Sequence, residues 1–112
     1  MNHPSMNPPA GEPAPLTFEA FQGHIRDRYY ASDAARGTPA TFMWLIEEVG
    51  ELATALQNIA KRPDDPAARA NLDEEFADVI AWLCTLANVN GVDLARAIGT
   101  KYLSRGGPEG VK

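Results

Sequence analysis

The chain has 112 residues and a mass of 12.1 kDa, the size of one small domain. Its fifteen acidic and ten basic residues give a net charge of −5, which argues against a protein that coats nucleic acid, because phosphate binding needs a basic surface. Apolar runs are far shorter than the roughly 20 residues of a membrane span. The N-terminus lacks the basic and apolar regions of a signal peptide, and the lone Cys84 has no partner for an internal disulfide. We therefore expect a soluble cytoplasmic protein.

The first 15 residues contain five of the nine prolines and almost no large apolar side chains. Such a segment buries too little surface to offset the entropy lost on ordering, which predicts a disordered tail over residues 1–15. One helical domain is predicted over residues 16–107, followed by a short C-terminal tail over residues 108–112.

The first predicted helix runs from about Thr17 to Ala31, with Thr17 as its N-cap and Gly37 closing the loop that follows. Apolar residues recur along it at helical spacing, and we expect them in the core: Phe18, Phe21, Ile25 and Tyr29.

The second predicted helix starts at Thr38-Pro39, an N-cap followed by proline at the first helical position. It ends near Lys61, because Pro63 forbids its continuation. Its apolar stripe comprises seven residues: Phe42, Leu45, Ile46, Val49, Leu52, Leu56 and Ile59.

Two more helices follow. Asp65 caps the third, which continues to a left-handed stop at Asn90-Gly91. Asp93 caps a shorter fourth helix that ends after Leu103. No segment alternates with period two, so the fold class is all-α, a small four-helix bundle in which short loops make consecutive helices antiparallel neighbours.

The acidic residues concentrate on the second and third helices. At about 100° per residue, Glu47, Glu48 and Glu51 span an arc of only about 100° that also holds Trp44, roughly opposite the apolar stripe. On the third helix Glu75 and Asp78 share one face at the edge of the core, and Trp82 lies one turn beyond Asp78.

Most acidic helix faces are simply solvated, since glutamate forms helices well. Here, however, no basic residue stands three or four positions from the acids of the second helix, so their repulsion is uncompensated. Gly50 adds a further cost of about 1 kcal/mol inside the same helix. Uncompensated local costs of this kind are expected at functional sites, and a cation held between facing helices would supply the compensation.

All-oxygen ligands suit hard cations, so we expect Mg²⁺, with Mn²⁺ as a substitute. A di-iron centre needs histidine ligands, yet His3 lies in the tail and His24 on the first helix. Zinc is disfavoured for the same reason, since Cys84 falls on the apolar face of the third helix and is expected in the core.

The sequence Glu47-Glu48-Val-Gly-Glu51 followed by Glu75-Phe-Ala-Asp78 resembles the E-E-x-x-E … E-x-x-D pattern of the MazG-like nucleoside triphosphate pyrophosphohydrolases. The similarity extends through Asn90-Gly-Val-Asp-Leu94 to Arg105. It implies an all-α domain that forms homodimers or homotetramers and hydrolyses a nucleoside triphosphate, or its deoxy counterpart, to the monophosphate and pyrophosphate with Mg²⁺.

The resemblance also implies roles for single residues. Glu48, Glu51, Glu75 and Asp78 would be metal ligands, and Glu47 would be a further ligand or would orient and deprotonate the attacking water. Candidates for substrate contacts, each also explained by ordinary packing or solvation, are Lys101, Tyr102, Arg105, Trp44 and Trp82. After Arg105, Gly106-Gly107-Pro108 replaces the longer basic tail of the family pattern.

Two other functions remain open from the sequence. One is the related phosphoribosyl-ATP pyrophosphohydrolase reaction, whose carboxylate pattern is similar. The other is a non-catalytic helical module whose acidic face binds a basic partner. Independently of function, about 90 ordered residues form a core too small to cover four apolar helix faces, which predicts at least a homodimer.

Overall fold

The computed structural model describes residues 15–104, which form four α-helices and a closing π-helical turn. The elements are α1 (Phe18–Arg36), α2 (Thr38–Lys61), α3 (Pro66–Val89), α4 (Leu94–Ile98) and the π-helical turn Gly99–Leu103. These residues contain no strand, and the predicted all-α class is confirmed. The predicted terminal tails, apart from Pro15, lie outside the described residues, as does Arg105.

The junction between α1 and α2 differs from the prediction. Helix α1 ends at Arg36 rather than Ala31, and Gly37 alone connects it to α2, with φ of 81°. Thr38 is therefore the first residue of α2 and not its N-cap, and the predicted loop is wrong. Glycine adopts positive φ without steric cost, so a single residue suffices to redirect the chain.

The other predicted helix ends are confirmed, except that the fourth helix is α-helical only to Ile98 and continues as a π-helical turn to Leu103. The side chains of Thr17, Asp65 and Asp93 each accept a hydrogen bond from a backbone N–H two or three residues further on, at 3.0–3.1 Å. Gly91 has φ of 69° and forms the left-handed stop after α3. Local capping chemistry therefore determines where these helices begin and end.

Helix α3 lies in the middle of the fold and packs along α2 on one side and along α1 on the other. A four-residue connection makes α2 and α3 antiparallel neighbours, as predicted. Cys84 is fully buried between the helices, which confirms it as a core thiol, and burial raises its pKa. Six apolar residues form the buried core: Ile25, Leu45, Ala55, Leu72, Cys84 and Ala87.

The buried Gln22 fixes α4 against the start of α1. Its Nε2 donates to the Val92 carbonyl at 2.7 Å and to Oδ1 of Asn88 at 3.0 Å, and its Oε1 accepts from the Leu94 N–H at 2.9 Å. The side chain therefore joins α1 to the end of α3 and to the first residue of α4. This places α4 beside α1, and the π-helical turn continues from α4.

Two of the predicted core stripes are largely exposed. Phe18 and Tyr29 of α1 are nearly half-exposed, and four apolar residues of α2 are 42–51% exposed. The face that α2 turns to α3 contains smaller and polar side chains such as Thr41 and Ala55, both fully buried. Together with two half-exposed residues of α3, the exposed residues of α2 make up what we call the outer apolar patch: Phe42, Ile46, Val49, Leu56, Phe76 and Leu83.

None of the helices within residues 15–104 combines the length and the apolar character needed to cross a bilayer.

Candidate metal centre

Three carboxylates from α2 and α3 converge in the groove between these helices. One oxygen each of Glu48, Glu51 and Glu75 lies within 4.8 Å of the other two. Glu48 and Glu51 are one turn apart on α2, and the antiparallel packing of α3 brings Glu75 opposite them. Glu75 therefore lies next to Glu48 and Glu51, although it is 24 or more positions from both in the sequence.

The three side chains differ in burial. Glu51 is exposed, whereas Glu48 and Glu75 are half-buried, and the Oε2 atom of each is buried without a hydrogen-bond partner among the described residues. The ion pairs that residues 15–104 form join Arg36 to Asp33 and Arg26 to Asp27, so they do not neutralise the cluster. A buried carboxylate oxygen without a partner is costly, and a positively charged ligand would remove that cost.

The crowding of negative charge changes the acidity of the cluster. Partial burial and, after it, the nearby charges of Glu51 and Asp78 together raise the pKa of Glu48 from 4.5 to about 7. The pKa of Glu75 is raised for the same reasons, with burial as the largest cause. Without a cation the folded protein therefore holds a proton in this cluster near neutral pH.

Asp78 and Glu47 lie outside the group of three converging carboxylates. Asp78 is exposed and acts on Glu48 and Glu75 through its charge, but its oxygens are not among the three that converge. Glu47 is exposed beside Glu48 on α2. Asp78 is close enough to act on the cluster through its charge, and neither residue belongs to the three that converge.

The donor set fits a hard divalent cation. All three converging ligands are carboxylate oxygens, which Mg²⁺ and Mn²⁺ prefer, and the two unpartnered Oε2 atoms offer free lone pairs at the protein interior. The described part of the chain places neither histidine nor cysteine in this group. The chemistry of the site therefore matches magnesium or manganese better than zinc or iron.

The two tryptophans stack on each other directly beside the carboxylates. Their ring centroids lie 6.0 Å apart and their planes are inclined by 10°. Trp44 precedes Glu48 by one turn of α2, and Trp82 follows Asp78 by one turn of α3, so the stack adjoins the acidic groove along both helices. The predicted packing between helices is thus present, yet Trp44 remains 49% exposed and does not belong to the core.

Two predicted substrate-binding residues, Lys101 and Tyr102, lie on the π-helical turn and not on the helices that carry the carboxylates. Lys101 and Tyr102 are exposed on the π-helical turn, where the Lys101 ammonium lies 5.5 Å from the Tyr102 ring centroid. Lys101 is not among the charges that shift the pKa of Glu48 or Glu75. The position of this turn follows from α4, which packs against α1.

Sequence reasoning missed a polar group at the end of α1. Asp33 is 3% exposed, and its Oδ1 accepts from Nη2 of Arg36 at 3.1 Å. Nη1 of Arg36 donates to Oγ1 of Thr41 at 3.3 Å, and the guanidinium lies 5.2 Å from the Trp82 ring centroid. The signal was present, because Asp33 and Arg36 continue the helical spacing of Ile25 and Tyr29. Ending the helix at Ala31 concealed it.

The family comparison agrees with this arrangement. The family model for the MazG nucleotide pyrophosphohydrolase domain matches residues 37–105, which include α2, α3 and the acidic residues Glu47, Glu48, Glu51, Glu75 and Asp78. Among curated proteins no match was found. The match covers more than half of the chain, and its general activity, hydrolysis of nucleotide pyrophosphates, accords with paired carboxylates on neighbouring helices. We therefore conclude that this chain belongs to the MazG nucleotide pyrophosphohydrolase family.

Proposed function

We propose that the protein hydrolyses a nucleoside triphosphate, or its deoxy counterpart, to the monophosphate and pyrophosphate in a Mg²⁺-dependent reaction that removes surplus or non-standard nucleotides. The observation that carries the proposal is the convergence of Glu48, Glu51 and Glu75 within 4.8 Å, with two buried oxygens unpartnered. Family membership supports the reaction class.

Glu48, Glu51, Glu75 and Asp78 are the proposed metal ligands. Unit charges 4 Å apart repel by about 1 kcal/mol in water and by several times more where water is excluded, so these acids alone would reject a triphosphate. Bound Mg²⁺ reverses that sign, supplies positive charge to the phosphate oxygens and lowers the pKa of a coordinated water.

Glu47 is the proposed general base. It is exposed and comes directly before Glu48 in the sequence of α2, so its carboxylate is open to solvent water. Accepting a proton from that water lets the oxygen attack the α-phosphorus, and the bond to the bridging oxygen of pyrophosphate breaks. The products are the monophosphate and pyrophosphate.

The proposed substrate contacts fall on two sides of the groove. The stacked Trp44 and Trp82 offer an aromatic surface for the base. Lys101 and Arg105 are proposed to contribute charge toward the phosphates, with Tyr102 beside them. Because Lys101 is exposed on the π-helical turn, this part of the proposal requires the turn to approach the groove when substrate binds.

The outer apolar patch supports a homodimer or a homotetramer. Each of its members is 40–51% exposed. Large exposed apolar patches typically mark surfaces that bind other proteins. The patch occupies the side of α2 away from Glu47 and Glu51, so a second copy would cover it without closing the acidic groove.

The direct test is release of pyrophosphate from a panel of triphosphates with and without Mg²⁺. The wild type should turn over at least one triphosphate only when Mg²⁺ is present. Glu75→Gln removes a proposed ligand and should lower kcat/KM by more than about a hundredfold, since even partners behind a metal ligand are worth about 10–100-fold. Asp73→Asn, an exposed acid on the same helix, is the matched control and should leave kcat/KM unchanged.

Two outcomes distinguish the alternatives. Turnover of phosphoribosyl-ATP alone would identify the related histidine-pathway reaction. A non-catalytic acidic module predicts no turnover and thermal midpoints of the parent and of Glu48→Gln that ignore Mg²⁺. A metal site predicts instead that millimolar Mg²⁺ raises the thermal midpoint of the parent, because a ligand that binds only the folded state stabilises it. The midpoint of Glu48→Gln should rise much less.

A further inference from the structure

The two stacked tryptophans differ in how much of each ring is open. Trp82 is half-buried, and it is covered by Trp44, with ring centroids 6.0 Å apart, and by the Arg36 guanidinium, 5.2 Å from its ring centroid. Trp44 is 49% exposed, and within residues 15–104 Trp82 is the ring that stacks on it. A base that uses this stack therefore has its open aromatic surface on Trp44 rather than on Trp82. Trp44 also lies one turn of α2 from Glu48, a proposed metal ligand.

Arg36, which covers Trp82, is itself fixed by two buried partners. Its Nη2 donates to Oδ1 of Asp33 at 3.1 Å, and its Nη1 donates to Oγ1 of Thr41 at 3.3 Å. Asp33 is 3% exposed and Thr41 is fully buried. The Thr41 hydroxyl donates to the Gly37 carbonyl at 2.7 Å, so its oxygen is free to accept from Arg36. A planar guanidinium held at two of its nitrogens keeps a defined orientation over the indole ring.

These contacts tie the end of α1 to both helices that carry the tryptophans. Arg36 is the last residue of α1, and it reaches Thr41 in the first turn of α2 and Trp82 on α3. Thr41 precedes Trp44 by three positions and is therefore its neighbour along the surface of α2. Movement of Arg36 changes the support of the Trp82 ring, and through the stack it changes the position of the Trp44 ring.

We propose that Arg36 is a positioning residue for the substrate: it holds the tryptophan stack so that the open ring of Trp44 receives the nucleotide base. The proposal rests on the hydrolase function proposed above. Arg36 acts through Trp82, and the buried Asp33 is the carboxylate that keeps Arg36 over that ring. Stacking of a base requires the receiving ring to stay in one orientation while the phosphates are bound, and a fixed neighbour provides this without any contact to the substrate.

The test replaces Arg36 by lysine, which keeps the charge that pairs with Asp33 and loses the planar fork. Two stacked indoles couple their electronic transitions and give a paired circular-dichroism band. Because Trp44 and Trp82 are the two tryptophans of the chain, this band reports their stack, and it should weaken in Arg36→Lys. KM for the triphosphate that the wild type hydrolyses best should rise at least about fivefold, the low end of what stacking on an aromatic side chain contributes. kcat should stay within about twofold, because the stack binds the ground state and the transition state alike.

Arg28→Lys is the matched control. Arg28 is exposed on the same helix, and its guanidinium lies 5.9 Å from the Tyr29 ring centroid. The substitution therefore removes the same kind of contact away from the tryptophans. It should change neither the circular-dichroism band nor KM.

Three other outcomes overturn the proposal. An unchanged band would show that Arg36 does not set the stack, and a weakened band with an unchanged KM would show that the stack does not hold the base. A lower kcat with an unchanged KM would mean a smaller folded fraction and a structural role alone. If Arg36→Lys does not fold, Asp33→Asn combined with Arg36→Gln removes both charges, leaves no buried charge unpaired, and is judged by the same readouts. Trp44→Leu, at an exposed position, should also raise KM, and an unchanged KM there overturns the proposal as well.

A binding measurement separates this inference from the hydrolase function. With Mg²⁺ present, at least one of AMP, GMP, CMP and UMP should quench the tryptophan fluorescence, whereas ribose 5-phosphate, which has no base, should not. Arg36→Lys should weaken that binding at least about fivefold, and absence of quenching by all four nucleotides overturns the positioning role. Weaker binding in the variant without hydrolysis of any triphosphate would support the positioning role and refute the proposed activity. Hydrolysis with the same KM in Arg36→Lys and the wild type would do the reverse.

Discussion

Helix α2 has an acidic side and, opposite to it, an exposed apolar side. On one side Glu48 and Glu51 converge with Glu75, and carboxylate oxygens are buried without partners. On the other, Phe42 and Ile46 are half-exposed to solvent. A single subunit thus buries acid and exposes apolar surface, the inverse of the usual distribution. We propose a different partner for each side, a cation for the first and a second copy of the chain for the second.

The largest expected effect comes from the apolar side. Ile46→Asp places a charge in the middle of the outer apolar patch and should convert the protein from at least a dimer into a monomer, as measured by light scattering at micromolar concentration. Ile46 is 51% exposed within one subunit, so its replacement removes little packing inside the subunit itself. Ala70→Asp, at an exposed position of α3, controls for the added charge and should leave the mass unchanged.

A wild-type mass of 12.1 kDa would contradict the dimer and leave the outer apolar patch without an occupant. Loss of folding in Ile46→Asp would be consistent with a subunit that is stable only when paired, provided that the wild type is oligomeric.

The next effect concerns the acidic side and its pH dependence. In the folded state without a cation the pKa of Glu48 is raised from 4.5 to about 7, so the native protein binds this proton more tightly than the unfolded chain does. The corresponding stability is present below pH 4.5 and is lost as the pH rises to about 7. In EDTA the thermal midpoint should therefore fall by about a few degrees between pH 5 and pH 8, and saturating Mg²⁺ should reverse the fall.

Glu48→Gln provides the control for this melt, because a glutamine does not titrate and repels Glu51, Glu75 and Asp78 less. The variant should show a weaker pH dependence and should be more stable than the wild type at pH 8 in EDTA. It should also respond less to Mg²⁺. A variant that is less stable than the wild type under those conditions would show that the clustered charges are not a cost to the folded protein.

The smallest effect is expected at Gly50, which lies on α2 between the two sides. A Cβ atom added there meets no atom within 4 Å in the subunit. Gly50→Ala should therefore stabilise the helix by up to about 1 kcal/mol, or about 4–8 °C in thermal midpoint for a domain of this size. A lower midpoint would indicate that a neighbouring copy or the bound ligand requires the space above Gly50.

The acidic residues were identifiable from the sequence because their spacing is local. Glu48 and Glu51 share a helix face at any tertiary arrangement, and the same holds for Glu75 and Asp78. The caps at Thr17, Asp65 and Asp93 were predictable for a similar reason, since each bonds a backbone N–H within its own turn.

The junction at Gly37 was not predictable in the same way. A glycine before Thr-Pro is equally consistent with a loop, and only the packing of α1 and α2 shows that one residue suffices. Extending α1 to Arg36 is what brings Asp33 onto the buried face beside Trp82. The place of Asp33 in the fold therefore depended on a helix boundary, the least reliable feature of sequence-based prediction.

By itself the sequence determined the helices, most of their ends and the carboxylates that belong to a MazG domain, because these depend on contacts within a few residues. The tertiary structure alone decided which side of α2 faces α3, how closely Glu75 approaches Glu48, and that Asp33 lines a cavity beside Trp82. Those features depend on how each helix is rotated against its neighbour. A helix such as α2 has apolar residues both in the core and on an exposed face. The spacing of apolar residues alone does not tell which of the two faces the neighbouring helix.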